Sequence, residues 1–183
     1  MKWTMPGTVL EIDRGDAPAM ADRFGAMFLA GGISLGQVCE LTGLEPHTVQ
    51  NWVKRGFLTP PVNKRYSLRQ LCRILNINSL RSVLPMEKIC GLLTYVNGKL
   101  SDESDDMIDD SQLYFMFVGL AARLRELYDP VEQEKILEDA MADYREPVAG
   151  AKERVKKVLQ VMLTGWLAVR MRQETEAMLN QLQ

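Results

Sequence analysis

Histidine occurs once in the 183 residues, as His47, and the three cysteines, Cys39, Cys72 and Cys90, stand far apart with no CxxC between them. That inventory cannot furnish a structural zinc site, and reduced, buried thiols of a cytoplasmic protein are the expected reading. No Gly-rich phosphate loop, GxSxG or HExxH is present, so catalysis has little support, and no cofactor or metal is expected. Long apolar runs are missing too. The most apolar stretch, "VLQVMLTGWLAVRM" (158–171), falls short of the roughly 18 residues that a membrane span needs, and it contains Arg170. At the N-terminus, "MKWTMPGTVLEIDRGD" places acidic residues where a signal peptide would carry its apolar core, so neither export nor membrane insertion is expected. Period-2 alternation is scarce outside residues 59–66, which argues against a sheet protein.

What is present is an ordinary globular composition, 46% hydrophobic and 25% charged, on a chain long enough for one domain or two small ones. The net charge of -2 conceals a strong asymmetry. Residues 33–99 hold nine basic side chains against three acidic ones, whereas residues 101–110, "SDESDDMIDD", hold six carboxylates and no base. A basic block of this kind points to a polyanionic partner.

Apolar residues recur at helical spacing almost throughout, so the expected class is mainly α. "APAMADRFGAMFLA" reads as a short helix stopped by Gly31-Gly32. Ser34 suits the N-cap of "LGQVCELT", which Gly43 ends, and Pro46 suits the first position of "PHTVQNWVKR", which Gly56 ends. Two short helices joined by a tight glycine-containing turn outline a helix-turn-helix. "FLTPPVNKRYS" cannot be helical because Pro60-Pro61 removes two donors, and a strand-turn-strand loop fits it. Ser67 caps the predicted helix "LRQLCRILNINSLRSVL", Pro85 opens "PMEKICGLLTYV", and a solvated acidic linker follows. Three further helices are predicted, over "QLYFMFVGLAARLRELY", "PVEQEKILEDAMADYR" and most of the chain after Pro147. "DESDDMIDDSQL" has part of a calcium-loop spacing, but Met107 replaces the required Gly and Leu113 the bidentate Glu.

At about 100° per residue, Val49, Trp52 and Val53 fall in one sector of the second helix, and His47, Gln50, Asn51 and Lys54 fall opposite. Gln and Asn are the side chains that pair with adenine edges, and Lys54 with Arg55 suits phosphate or guanine. The loop tip adds Lys64 and Arg65 as a basic wing. Arg69 and Arg73, one turn apart, suit either phosphate clamps or a solvent-facing pair, and His47 suits a phosphate contact. Trp52 is assigned to the core.

"LGQVCELTGLEPHTVQNWVKRGFLTPP", followed by "KRYSLRQLCRI" and "VLPMEKICGLL", resembles the MerR-like winged helix-turn-helix. "TVQNWVKRGFLTPPVNKRYSLRQLCRILNINSLRSVLPMEKI" is more similar still to the bacterial family known as domain of unknown function 1836. The resemblance spans roughly residues 33–96. It implies double-stranded DNA as partner, a second helix in the major groove and a wing on the backbone. Gln50 stands where the MerR pattern usually has Arg, and Asn51 where it usually has Tyr; Lys64 lies near the wing Arg.

The expected architecture is therefore an N-terminal arm and short helix (1–32), a MerR-like winged helix-turn-helix (33–98), an acidic linker (99–110) and a helical region (111–183). The last helix is apolar around much of its girth from Val155 to Met171, so it needs cover on several sides. Homodimerisation through it is expected, and packing against the N-terminal helix or the winged module is the competing source of cover. A small-molecule pocket near Met162, Trp166 and Met171 is a further option. The expected function is a cytoplasmic DNA-binding transcriptional regulator, with DNA contacts from His47, Gln50, Asn51, Lys54, Arg55, Lys64, Arg65 and Arg69. The alternative is a protein-interaction adaptor whose winged module does not bind DNA.

Overall fold

In the computed structural model, residues 2–124 and 129–182 are described. The N-terminal segment, which has no helical period, pairs with itself: β1 (Lys2–Thr4) and β2 (Glu11–Asp13) form an antiparallel pair with Trp3 opposite Ile12. This small sheet was not foreseen, since three-residue strands are too short to show alternation. Asp13 then caps a 3-10 turn over Arg14–Ala19 that contains Pro18, and α1 (Met20–Met27) begins later than its apolar pattern suggests.

Helices α2 (Leu35–Thr42) and α3 (Pro46–Lys54) follow the sequence signals closely. Ser34 and Gln37 exchange the two hydrogen bonds of a capping box, and Gly43 ends α2 in the left-handed conformation. Beyond the loop, Ser67 and Gln70 build a second capping box on α4 (Leu68–Leu80), and α5 (Met86–Asn97) follows Pro85, which serves as its N-cap. The remaining helices are α6 (Asp110–Arg123), α7 (Pro130–Ala140) and α8 (Ala151–Asn180). The last four residues of the helix predicted to end at Tyr128 lie outside the described residues.

α4 is the axis of the molecule. From Gln70 to Ile77 every residue is buried, polar ones included, because α5, α6 and α8 all pack against it. Burial of polar groups without partners would be costly. Gln70 donates to the carbonyls of Thr59 and Pro60, Arg73 Nε donates to the Phe57 carbonyl at 2.9 Å, and Asn76 Nδ2 donates to the Asp110 carbonyl at 3.3 Å.

Two expectations change at this point. Residues 99–110 are a solvated linker only in their first part: Lys99 and residues 101–105 are exposed, but Asp106 and Asp110 are folded against α4, and α6 begins inside the acidic run with Asp109 as its N-cap. The apolar girth of α8 is covered from within the chain. Val155, Val158, Leu159, Met162, Leu163, Trp166 and Leu167 are buried, and α8 packs on α4, α5, α6 and α7. Every residue from Met171 to Leu182 is exposed. Among the described residues, no helix is long and apolar enough to cross a membrane.

Candidate nucleic-acid interface

Pro46 starts α3 and the two buried residues Val49 and Trp52 anchor it, so its orientation is fixed by the core. His47, Gln50, Asn51, Lys54 and Arg55 are all exposed. Among the described residues, the side chains of Gln50, Asn51 and Lys54 make no intramolecular hydrogen bond or ion pair. Arg55 differs: it meets Glu87 at 2.8 Å and lies over the Phe57 ring at 4.6 Å, which ties its guanidinium to the start of α5.

The following loop narrows to a two-residue turn. Val62 and Arg65 bridge each other across Asn63 and Lys64, both with positive φ (51° and 61°), the pattern of a tight hairpin turn whose twist suits the flanking strands. The base of the hairpin is clamped to the start of α2. Ile33 and Tyr66 exchange backbone hydrogen bonds at 3.0 and 2.8 Å, and Arg65 Nη1 donates to the Gly32 carbonyl at 3.1 Å. Gly32 is required there: its φ is 95°, and a Cβ would lie 2.6 Å from the Tyr66 carbonyl oxygen. Gln70 holds the Thr59-Pro60 side of the same loop. Lys64 and Arg65 are exposed on a hairpin fixed to α2 and α4.

Arg69 does not join this surface. Its side chain is only 19% exposed and lies within an acidic cage, with Asp106 at 2.6 Å, Glu103 at 3.3 Å, Asp109 at 3.5 Å and Asp110 at 3.9 Å. Its expected DNA contact is corrected accordingly, since these carboxylates already occupy the position a phosphate would take. Arg73 is buried and reaches Asp110 at 3.3 Å. Burial pushes the Asp106 carboxyl up to about 6 against the opposing pull of Arg69, and burial likewise raises Asp110 against Arg73 and Arg69. Sequence reasoning missed Asp106 and Asp110 as structural partners. The signal was available in two arginines one turn apart, followed by a carboxylate-rich run of opposite charge.

The expected pocket near Met162, Trp166 and Met171 does not form as such. Met162 is buried in the core and Met171 is half exposed, while Trp166 lines a separate cleft.

The chain thus defines a small, mainly helical structure that presents one polar helix face and a clamped basic hairpin. Residues 34–117 match the model of a family described as "Domain of unknown function (DUF1836)". That match supports the family resemblance read from residues 33–96 and carries it through the acidic segment into α6. Those are the elements that Arg69 and Arg73 tie together. The uncharacterized protein YkrK of Bacillus subtilis (strain 168) is 36% identical over 86 residues, covering 45% of this chain and 37% of that protein. The chain therefore spans little more than a third of the length of the curated relative it matches. No solved structure matches it.

Proposed function

We propose that the chain is a cytoplasmic DNA-binding transcriptional regulator built on a MerR-like winged helix-turn-helix. In this reading α3 enters the major groove, and the hairpin acts as a wing along the sugar-phosphate backbone. The observation that carries the reading is the pairing of a solvent-facing α3 surface (His47, Gln50, Asn51, Lys54), free of intramolecular partners at its Gln, Asn and Lys, with the rigidly clamped Lys64–Arg65 tip. Gln50 and Asn51 supply base-edge donors and acceptors, and Lys54, Lys64 and Arg65 supply phosphate contacts. Arg55 contributes charge at the groove edge while paired with Glu87.

Two-fold operators call for two copies of such a module. The exposed side of α8 offers a seam for a second copy: Val161, Thr164, Ala168, Met171, Thr175 and Met178 alternate by three and four residues, and all are exposed. That is the spacing of a helix–helix seam. Homodimerisation through this stripe replaces the expectation based on the apolar girth, which the chain covers itself.

The deciding experiment is fluorescence-anisotropy binding to a pool of duplex DNA fragments at rising salt, with a Gln50→Ala, Lys54→Ala, Lys64→Ala variant alongside. Salt-sensitive binding that the variant loses is the expected result. No binding by either protein at low salt would overturn the reading in favour of the adaptor alternative.

A further inference from the structure

A cleft of about 520 Å³ opens between β1, the C-terminal end of α4 and the second half of α8. It shares no residue with α3 or the hairpin. Its volume falls within the range of about 300–1,000 Å³ usual for small-molecule sites. Five cationic side chains line it, Lys2, Arg14, Arg81, Arg170 and Arg172, and among the described residues no carboxylate does. The carboxylates that do meet these groups come from one turn along α8: Glu174 lies 3.4 Å from Arg170, and Glu176 lies 3.4 Å from Arg172. Asp13 stands across the β-pair from Lys2.

The wall is rigid. Trp3 and Trp166 meet edge to face at 6.1 Å, with Arg14 over the first ring at 6.0 Å and Arg170 over the second at 5.2 Å. Arg14 also donates to the Leu124 carbonyl at 2.9 Å, which fixes its guanidinium. Burial, and then the charge of Arg170, pull Arg14 below its ordinary value.

Donors outnumber acceptors here. Trp3 is only 7% exposed, and among the described residues neither its indole Nε1 nor Arg14 Nε meets an acceptor. Both tryptophan rings are themselves buried, so they offer no face for stacking a base. Recognition would rest on charge and hydrogen bonds, for which guanidinium forks and phosphate oxygens are well matched. With Arg170 and Arg172 each paired along α8, Lys2, Arg14 and Arg81 still bring more positive charge to the cleft than a single carboxylate would balance.

We propose that this cleft binds a small anion carrying two or more phosphate groups. The proposal goes beyond the DNA reading and does not depend on it. Phosphate could also come from a nucleic-acid backbone, so the test has two arms. In the first, inorganic tripolyphosphate is titrated calorimetrically into the full chain at constant ionic strength, against sulfate as control and against an Arg81→Gln, Arg170→Gln variant. Binding of tripolyphosphate well above sulfate is expected, weakened roughly tenfold or more in the variant. Circular dichroism melts of the variant check that its fold is intact, and a Lys2→Gln, Arg81→Gln variant repeats the test without touching α8. Tripolyphosphate binding no stronger than sulfate, or equal binding by wild type and both variants, would sink the proposal. In the second arm, duplex DNA competes with bound tripolyphosphate. Coexistence is expected; displacement, together with loss of DNA affinity in the Arg81→Gln, Arg170→Gln variant, would assign the cleft to a DNA backbone and overturn the small-molecule assignment.

Discussion

Asp106 is pulled two ways, by burial that favours its neutral form and by the Arg69 guanidinium 2.6 Å away that favours its charged one. Burial prevails, and the carboxyl titrates at about 6 rather than near its ordinary 3.8. Because the folded-state value is the higher one, its stabilising contribution is complete below about pH 4 and is lost as pH rises through about 6. Relative to an Asp106→Asn variant, the wild type is expected to lose unfolding free energy between pH 4 and pH 7.5, measured by urea unfolding at both pH values. Asp110 shifts in the same direction. At Gly32 the constraint is steric. Gly32→Ala forces a left-handed residue into the Tyr66 carbonyl, so it is expected to detach the hairpin from α2 and to cost about 1–3 kcal/mol in thermal or denaturant unfolding.

Elements α3 and α8 differ in what holds them. α3 is anchored by Val49 and Trp52 and leaves its polar face to solvent, so side-chain changes on that face should alter binding without altering the fold. If α3 and the hairpin contact DNA, Lys54→Ala and Lys64→Ala should each reduce the slope of log affinity against log salt by about 1. Gln50→Ala should instead relax preference at one base position, worth about 1–3 kcal/mol, as read by competition between duplexes that differ at single positions. In α8, the buried side fixes the helix to the core and the exposed side carries the three-four stripe. If two copies pair through that stripe, Met171→Glu with Met178→Glu should convert the dimer to a monomer in sedimentation equilibrium while the circular dichroism spectrum stays unchanged. A wild type that sediments as a monomer at tens of micromolar would contradict the seam.

The whole molecule is built around α4, and the acidic segment closes one side of it. Asp110→Ala leaves Arg73 buried without its carboxylate and is expected to cost about 3–5 kcal/mol in denaturant unfolding. For the same reason a chain cut after residue 98 should not behave as an independent domain. It would lack the α6 and α8 cover over Leu71, Ile74, Leu75 and Leu80, and its thermal melt by circular dichroism should lose the cooperative transition. A sharp melt from that fragment would restore the boundary expected between residues 98 and 99.

The sequence by itself determined the local structure wherever the signal is local. Ser34 with Gln37 and Ser67 with Gln70 write their capping boxes into adjacent residues, Gly43 ends a helix through its own backbone freedom, and the apolar face of α3 is readable at 3.6 residues per turn. The exposed candidates His47, Gln50, Asn51 and Lys54 follow from the same periodicity, and Lys64 follows from the loop that Pro60-Pro61 imposes. Tertiary structure alone decided the rest, because it depends on which distant groups meet. Arg69 is a free cation in the sequence and a caged one in the fold, since its four carboxylates lie 34 to 41 residues further on. The girth of α8 states that cover is needed but not whose, and the β-pair is too short to announce itself. The basic cleft unites residues from Lys2 to Arg172, a convergence that only the folded chain creates.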